Sequence, residues 1–416
     1  MEPLRFIHAA DLHLGSTIPA AAGAPSLLKQ QLEDSIYTAV DNMVKDAIQL
    51  EVDFIIIAGD LFDQDNRSLR NQLYLKTQFQ TLQKHDIPVY VIFGNHDPVH
   101  KKYAPAGWPE NVHIFDTTPE MKIFHKKGEE AAFIYGCSYE KRTLHQNIAK
   151  QYNKKEGTEA PLQIGLLHGQ ERRNTDHAYA PFDKEDLLEK EFDYWALGHI
   201  HTRHSLANHI CYPGNIQARH RNEPGDKGYL YVHLDEEKVD VSFRSASVIP
   251  FIKMETSIDG HLSFDSLTNQ ILEDISAYQI VNRIGVWLDI TLKGKGSLSL
   301  HLQEEKELQE WKEALNEIGA VDSPFFHIYR LTNQTIPDDM TIHSNGENHF
   351  LGDMTKAALH LKDNPEQVEN EWKELMQHPA ARTYLSASEV EDPAAIIDEA
   401  QRLLWEMWGK EKTNED

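Results

Sequence analysis

Short runs of apolar and β-branched residues recur along residues 1–245, and each run ends in Gly, Asp or His. Such runs are typical of buried strands, and apolar residues at helical spacing separate the early ones. The predicted strands are Leu4–His8, Asp53–Ala58, Val89–Phe93, Ala132–Tyr135, Gln163–Leu167, Tyr194–Leu197 and Tyr229–His233. Strands that alternate with helices predict an α/β domain over residues 1–245.

A different pattern follows this domain. Over residues 246–332 a strand, a helix, an alternating strand, a second helix and a last strand succeed one another, which predicts a small α+β domain. The stretch Thr332–Gly352 is polar and irregular, so it predicts a linker. Amphipathic spacing predicts a helical C-terminal region over residues 353–416. Its helices are expected to begin at Asn364-Pro365 and Asp392-Pro393, because Asn or Asp caps a helix and Pro suits its first position.

Composition narrows the class of protein. With 416 residues, 40% of them apolar and 26% charged, the chain is expected to form two or three globular domains. No apolar run approaches the roughly 20 residues that a membrane-spanning helix needs, and the first residues lack the apolar core of a secretory signal. Only two cysteines are present, Cys137 and Cys211, which argues against a disulfide scaffold or a thiolate-rich zinc site. We expect a soluble cytoplasmic protein with no membrane partner.

The chain is strongly acidic, with a formal charge of -25. Residues 1–245 hold 27 Lys and Arg against 35 Asp and Glu, whereas residues 246–416 hold 14 against 31. A polyanion would be repelled from most of this surface. The charge therefore argues against extensive nucleic-acid coating, although it leaves room for a local site.

Five polar clusters stand where predicted strands end, and they are the candidate chemistry of the chain. They are Asp11-Leu12-His13, Gly59-Asp60-Leu61-Phe62-Asp63, Gly94-Asn95-His96-Asp97, His168-Gly169 and Gly198-His199-Ile200-His201. The carboxyl ends of strands in α/β sheets form a crevice where ligands collect, so these clusters are expected to converge. In an extended backbone, pairs such as Asp11/His13 and His199/His201 would direct both side chains the same way.

The clusters offer oxygen and nitrogen donors without sulfur. One such residue at a strand end is usually structural, but five ordered clusters make coincidence improbable. Seven donors are too many for one tetrahedral zinc and suit two five- or six-coordinate ions that share an aspartate. Imidazole, carboxylate and amide ligands favour Mn²⁺, Fe or Zn²⁺ over Ca²⁺. The predicted ligands are Asp11, His13, Asp60, Asn95, His168, His199 and His201.

The ordered set D-x-H, G-D-x-x-D, G-N-H-D, H-G and G-H-x-H resembles that of the calcineurin-like metallophosphoesterase superfamily. Within it, the chain is similar to the SbcD-type DNA repair exonuclease family, of the YhaO-like kind. The segments that carry this similarity are HAADLHLG, AGDLFD, FGNHD, LLHG, ALGHIH and YPGNIQARHRNEPGDKGY. The resemblance implies a metallophosphoesterase fold, in which two β-sheets are sandwiched between helices, over residues 1–245, with residues 246–332 as a capping domain.

The same resemblance implies roles for individual residues. One metal would be held by Asp11, His13, Asp60 and His201, and the other by Asp60, Asn95, His168 and His199. Both ions would be divalent, with Mn²⁺ preferred and Fe or Zn²⁺ as alternatives. His96 would stand beside the scissile phosphate, and Asp97 would orient it.

The implied activity is hydrolysis of DNA phosphodiester bonds by a two-metal mechanism, of exonuclease type. Arg219 and Arg221 follow the Gly214-Asn215 turn and are expected to contact DNA phosphates. The implied partners are DNA, an SMC-like ATPase with coiled coils, and a second copy of the chain. Two alternatives stay open: a phosphodiesterase or phosphatase acting on a small nucleotide or a phosphoprotein, and a scaffold subunit of the ATPase complex.

Overall fold

The structure of the protein is a computed structural model. It describes residues 2–18, 25–63, 68–99, 107–155, 161–172, 179–278, 283–337 and 350–364, together with the single positions 367, 397, 400 and 403. The helices predicted from Asn364 and Asp392 lie almost entirely outside the described residues.

The first sheet has six strands. In spatial order they are β12 (Val239–Ser245), β11 (Gly228–Leu234), β1 (Leu4–Ala9), β2 (Phe54–Ala58), β3 (Val89–Ile92) and β4 (Val112–Ile114). The strands from β1 to β4 are parallel to one another, while β11 runs antiparallel to β1 and to β12. The carboxyl ends of β1, β2 and β3 therefore lie at one edge of the sheet.

The second sheet also has six strands. In spatial order they are β5 (Glu120–Lys126), β6 (Glu129–Gly136), β7 (Leu162–His168), β8 (Tyr194–Gly198), β10 (Ile210–Tyr212) and β9 (His204–Ala207). Here β6, β7, β8 and β10 are parallel, and the two outer strands are antiparallel to their neighbours.

The two sheets pack face to face because alternate residues of their strands point to opposite sides. Phe6 and Ile56 of the first sheet share a buried cluster with Ile164 of the second. Ile7 and Ile57 point the other way, into a cluster with helices α1 (Ser26–Gln49) and α2 (Leu69–Gln83). The outer face of the second sheet packs against the short helix α3 (Lys184–Leu188). The predicted fold, two sheets between helices, is confirmed.

Both long helices follow from local sequence. In α1, Leu28, Leu32, Ile36, Val40 and Val44 recur every four residues and are all buried, so they form the stripe that faces the sheet. Helix α2 begins after Ser68, whose hydroxyl accepts a hydrogen bond from the Asn71 amide and satisfies one of the free N–H groups of the first turn.

A third sheet contains β13 (Phe251–Ser257), β14 (Gly285–Lys293) and β15 (Phe325–Asn333) in that order. Helix α4 (Phe264–Ser276) connects the first two strands, and α5 (Leu298–Gln303) and α6 (Glu305–Val321) connect the last two. This confirms the predicted α+β order, to which the structure adds α5. Trp287 and Phe325 of this sheet are buried with Val248 and Ile7 in one continuous core.

Helix α7 (Phe350–Asp363) begins within the stretch that was predicted to be a linker. The chain forms two compact units, one from Met1–Thr256, Leu267–Leu292 and Lys306–Thr332, the other from Ser257–Ser266, Lys293–Glu305 and Asn333–Asp416. The domain boundaries drawn from the sequence stay a prediction. In the described part of the chain, no helix combines the length and the apolar character needed to cross a bilayer.

Candidate metal centre

The predicted metal ligands come together where five parallel strands end. Asp11 and His13 follow β1, Asp60 follows β2, and Asn95 follows β3; His168 is the last residue of β7, and His199 and His201 follow β8. The carboxyl ends of the two sheets meet at this point, since Asp60 Oδ2 lies 3.4 Å from His168 Nε2.

Four of these seven ligand residues have left-handed backbone conformations. The φ angles are +52° for Asp11, +46° for His13, +52° for Asp60 and +96° for His199. The backbone at Asp11, His13 and His199 is therefore not extended, and turns aim these side chains. Such conformations cost on the order of 1–3 kcal/mol each and persist where surrounding contacts impose them. Here the Asp11 and His13 amides donate to the carbonyls of Gly59 and Asp60, at 3.1 and 2.9 Å.

Glycines allow His168 to enter the space between these loops. A Cβ atom on Gly59 would lie 2.3 Å from His168 Nδ1, and one on Gly94 would lie 2.7 Å from His168 Nε2. A Cβ on Gly198 would lie 1.9 Å from the Ala58 carbonyl oxygen. These close approaches require glycine at all three positions.

His168, Asn95 and His199 form one half of the centre. His168 Nδ1 lies 2.9 Å from the Ala58 carbonyl oxygen. Because a carbonyl can only accept, Nδ1 carries a hydrogen and Nε2 is the atom that faces the other groups. Nε2 lies 2.9 Å from Asn95 Oδ1, which in turn is 3.0 Å from His199 Nδ1. These three atoms and Asp60 Oδ2 surround a position that favours positive charge.

The other half contains Asp11, His13 and His201. The Nε2 atoms of the two imidazoles are 3.1 Å apart, and His13 Nε2 is 3.8 Å from Asp11 Oδ1 and 3.7 Å from Asp60 Oδ2. His13 Nδ1 is buried and has no hydrogen-bond partner among the described residues. The Asp11 carboxylate also accepts from the His199 amide, which ties the two halves together.

Burial and mutual charge shift the pKa values of these groups in opposite directions. Burial raises the pKa of Asp11 and lowers those of His13 and His199. Burial alone would also raise the pKa of Asp60, but the adjacent His168 reverses this effect and lowers it. For His168, burial opposes the charged form, yet Asp60 outweighs it and raises the pKa. The position beside His168 Nε2 and Asp60 thus attracts a proton or another cation.

This donor set fits divalent metal ions. Three groups of residues in the described part of the chain each bring their ligand atoms within 4.8 Å of one another: Asp11/His13/His201, Asp11/Asp60/His168 and His13/Asp60/His96. Asp11, His13 and Asp60 each belong to two of the groups. Asp60 Oδ2 lies 3.7 Å from His13 Nε2 and 3.4 Å from His168 Nε2, so this carboxylate stands between the two halves, where a bridging ligand would be expected. Buried imidazole and carboxylate donors without sulfur suit ions such as Mn²⁺, Fe or Zn²⁺.

His96 lies beside this cluster, and its orienting carboxylate is Asp63 rather than Asp97. His96 Nδ1 is 2.9 Å from Asp63 Oδ1, and this hydrogen bond is the main reason why the pKa of His96 is raised. Asp97 instead accepts from the backbone amides of Leu61, Phe62 and Gly94, at 2.7, 3.1 and 2.8 Å. Asp97 therefore holds the loops after β2 and β3 together, and the role predicted for it is corrected.

The two predicted phosphate-binding arginines have different surroundings. Arg219 is half-buried, with Nη1 3.3 Å from Ser16 Oγ and Nη2 3.4 Å from His201 Nδ1. Its Nε atom is buried and has no partner in the part of the chain that the structure describes. Arg221 is exposed, and no described contact brings it to the predicted ligands. Of the two, Arg219 is the one that lies at the candidate centre.

Glu223 is a site residue that the sequence analysis missed. Its Oε1 lies 2.7 Å from His201 Nδ1, so the carboxylate orients a predicted metal ligand from behind. Burial alone would raise the pKa of Glu223, but its hydrogen bonds, first of all that with His201, lower it to about 2. The acidic residue within the segment RHRNEPGD was the available signal, although nothing in the sequence linked it to His201.

Comparisons with known proteins agree with this geometry. Residues 4–203 match the family described as calcineurin-like phosphoesterase. The chain is 37% identical over 406 residues to the uncharacterized metallophosphoesterase YhaO of Bacillus subtilis, covering 96% of this chain and 97% of YhaO. Two proteins named DNA double-strand break repair protein Mre11 are also similar. The protein of Thermoplasma acidophilum is 26% identical to this chain, and the alignment covers 66% of this chain and 72% of that protein. The protein of Methanocaldococcus jannaschii is 27% identical, and the alignment covers 64% of this chain and 73% of that protein.

The similarity to YhaO extends over nearly the whole of both chains, and the family match includes every predicted ligand from Asp11 to His201. Members of this family are phosphoester hydrolases that bind divalent metal ions, which is the chemistry that the buried Asp and His side chains favour. The chain belongs to the calcineurin-like metallophosphoesterase family.

Proposed function

We propose that this phosphoesterase hydrolyses phosphodiester bonds of DNA with two divalent metal ions, as an exonuclease in DNA repair. The observation that carries the proposal is the position of His96, a paired imidazole beside the Asp60 and His13 ligand atoms. The similarity to proteins named for DNA double-strand break repair supports DNA as the substrate.

Asp11, His13, Asp60 and His201 would hold one ion, and Asp60, Asn95, His168 and His199 the other. Two bound divalent ions lower the pKa of a coordinated water and hold the oxygens of a phosphoryl group. The burial of the ligands keeps bulk water from their carboxylates, since Asp11 and Asp60 are each only 1% exposed. The preferred metal is Mn²⁺, with Fe or Zn²⁺ as alternatives.

His96 supplies the proton for the departing oxygen. Its Nδ1–H donates to Asp63, so Nε2 is free to face the substrate, and the side chain is 32% exposed. Because Asp63 raises the pKa of this imidazole, His96 carries a proton at neutral pH more readily than an ordinary histidine. A protonated imidazole can donate to the alkoxide that leaves phosphorus.

Arg219 would bind a phosphate oxygen of the DNA strand next to the metal centre. Its guanidinium group offers planar donors, and the unpartnered buried Nε shows that its hydrogen-bonding capacity is not exhausted within the described residues. Arg221 would contact phosphate further from the centre. The net charge of -25 makes such local cations necessary for any DNA contact.

Two other functions are compatible with membership of the same family. The first is hydrolysis of a small nucleotide or a phosphoprotein, which the negative charge of the chain favours. The second is a scaffold subunit of an SMC-like ATPase complex. The presence of all seven predicted ligands and of His96 in one cluster favours a catalytic chain over a scaffold.

We propose an SMC-like ATPase and a second copy of the chain as partners of the enzyme, and the cytoplasm as its location.

The test is cleavage of an end-labelled linear DNA duplex by the purified protein with Mn²⁺. It is run beside a small phosphodiester, bis(4-nitrophenyl) phosphate. The variant His96→Ala removes the proposed proton donor, and His85→Ala, an exposed histidine after α2, is the matched control.

Metal-dependent loss of DNA ends that is reduced roughly 10²- to 10⁴-fold in His96→Ala and retained in His85→Ala supports the proposal. Hydrolysis of the small ester with DNA left intact would favour the first alternative. No hydrolysis of either substrate, with tight binding of an ATPase, would favour the scaffold.

A further inference from the structure

The Glu223 carboxylate accepts hydrogen bonds from three groups and contacts a fourth, although the residue is only 4% exposed. Oε1 lies 2.7 Å from His201 Nδ1 and 3.3 Å from His220 Nε2. Oε2 accepts from the Arg219 amide at 2.7 Å and from Asn215 Nδ2 at 2.9 Å. Oε1 thus holds the ring of His201, a predicted metal ligand, and Oε2 fixes the backbone of Arg219.

Each of the three hydrogen-bond partners acts as a donor towards Glu223. His220 makes a fourth contact: the Asn222 amide donates to its Nδ1 at 3.3 Å, and its Nε2 is the ring atom nearest Glu223 Oε1. The Arg219 amide and the Asn215 NH₂ group can only donate. A carboxylate accepts at every position, whereas a glutamine would turn its own NH₂ group towards at least one donor.

The same segment also holds the backbone of His201. The His201 carbonyl oxygen accepts from Lys227 Nζ at 3.2 Å and from the Asn215 amide at 3.3 Å. A Cβ atom on Gly214 would lie 2.8 Å from this oxygen, so the segment can pass this close to His201 only because residue 214 is a glycine. His201 is therefore fixed at its main chain and at its ring by residues 213–228.

Positive charge surrounds His201, one of the two residues that Glu223 holds. Arg219 Nη2 lies 3.4 Å from His201 Nδ1, and Lys227 is 7% exposed beside them. These cations would repel a metal ion bound at His201 Nε2. The buried carboxylate of Glu223 supplies the opposite charge between them.

We propose that Glu223 is a positioning residue that sets His201 for metal binding and Arg219 for phosphate binding at the same time, so that the affinity for metal and the affinity for substrate depend on one carboxylate. The metal part of the proposal concerns the ligand cluster itself, and the substrate part rests on the proposed hydrolysis of phosphodiesters.

The experiment compares wild type with Glu223→Gln and with Asp226→Asn. Asp226 is an exposed carboxylate in the same segment that pairs with Arg283 at 2.6 Å, so it controls for loss of one negative charge. Mn²⁺ binding is measured by titration calorimetry, thermal unfolding is followed without metal, and KM and kcat are measured with bis(4-nitrophenyl) phosphate.

We expect Glu223→Gln to lower the affinity for Mn²⁺ at one of the two sites roughly 10- to 100-fold. We also expect Glu223→Gln to raise KM, as Arg219→Ala does. Arg219→Ala should not lower the affinity for Mn²⁺, because it removes a positive charge beside His201. Asp226→Asn should match wild type in its affinity for Mn²⁺ and in KM. If Glu223→Gln does not fold, Glu223→Asp takes its place, because it retains the charge but is too short to reach both groups.

A folded Glu223→Gln protein with a lower melting temperature and wild-type Mn²⁺ affinity would overturn the proposal, since a purely structural residue behaves in that way. The calorimetric arm does not need turnover. A wild-type protein that binds Mn²⁺ but hydrolyses no diester would therefore contradict the proposed function alone, and the change in Mn²⁺ affinity would still decide the role of Glu223.

Discussion

His96 Nδ1 lies 2.9 Å from Asp63 Oδ1, so the loop after β2 fixes the imidazole that the loop after β3 presents to the ligand cluster. The hydrogen bond raises the pKa of His96 and lowers that of Asp63. The pair is partly exposed, with 32% of the histidine side chain accessible, so its protonation is open to solvent.

Asp63→Asn should move the alkaline limb of the pH–rate profile to lower pH. The proposed acid is active when protonated, and Asp63 keeps it protonated to higher pH; without that carboxylate the pKa of His96 falls and the acid form is lost earlier as pH rises. The check is kcat for bis(4-nitrophenyl) phosphate across the pH range. Asp240→Asn, an exposed carboxylate that pairs with Lys238, is the control. An unchanged alkaline limb in Asp63→Asn would contradict the assignment.

Gly94→Ala should weaken metal binding strongly while the protein still folds. The added methyl group would lie 2.3 Å from Asp60 Oδ1 and 2.7 Å from His168 Nε2, so both ligands must move. We expect activity to fall about 100-fold or more, because misplacing reacting groups by about 1 Å has that effect. Gly107→Ala, where nothing lies within 4 Å of the new Cβ, should be neutral. Wild-type Mn²⁺ affinity in Gly94→Ala would show that the ligand assignment is wrong.

Mn²⁺ should stabilise the folded protein, and Asp60→Asn should remove most of the effect. A ligand at 100 times its Kd adds about 2.7 kcal/mol to the free energy of unfolding. Since Asp60 lies 3.4 Å from His168 and 3.7 Å from His13, its loss affects both halves of the centre. Thermal unfolding with and without Mn²⁺, and after chelation, measures the difference. Equal stabilisation of wild type and Asp60→Asn would argue against a bridging carboxylate.

His8 should make the protein sensitive to acid. It is fully buried, hydrogen-bonded to Leu197 O and Tyr194 Oη at 3.1 and 2.9 Å, and burial lowers its pKa from 6.5 to about 3. The unfolded chain takes up a proton below about pH 6.5, whereas the native protein does so only near the lowered value, so stability falls as pH drops through that window. The loss should reach about 2 kcal/mol at about pH 5.

His8→Gln keeps a donor for Leu197 and an acceptor for Tyr194 but cannot titrate. Denaturant unfolding of the metal-free proteins should therefore show a smaller loss of stability between neutral and acid pH for this variant. His85→Gln, at an exposed position, should behave as wild type. Parallel acid profiles for His8→Gln and wild type would mean that His8 is not the group responsible.

The parts of the fold that the sequence predicted are those with strong local signals. β2 and β7 are buried along their whole length and read as uninterrupted apolar runs. The edge strand β9 is partly exposed and only His204–Ala207 long, and β4 is shorter still, so neither leaves a recognisable pattern. The periodicity of apolar residues in a sequence reflects which side chains are buried. Strands at the edge of a sheet bury few side chains, so their sequences show little periodicity.

Within the site, the motifs identified residues but not their partners. The family resemblance implied that Asp97 orients His96, whereas in the structure Asp63 reaches the ring across two loops. Glu223 stands 22 positions from His201, and only the packing of the chain brings them together. Hydrogen bonds between distant residues depend on geometry that the order of residues does not contain.

The predicted ligands at the centre come from both sheets, with Asp11 and His201 separated by most of the phosphoesterase domain. Neither sheet alone holds a complete set, so high-affinity metal capture must await the docking of one sheet on the other. Such a contact of large sequence separation forms slowly, because a long loop has to close first. We therefore expect metal uptake by this chain to be a late step of its maturation, so that bound metal would mark molecules whose two sheets are already packed together.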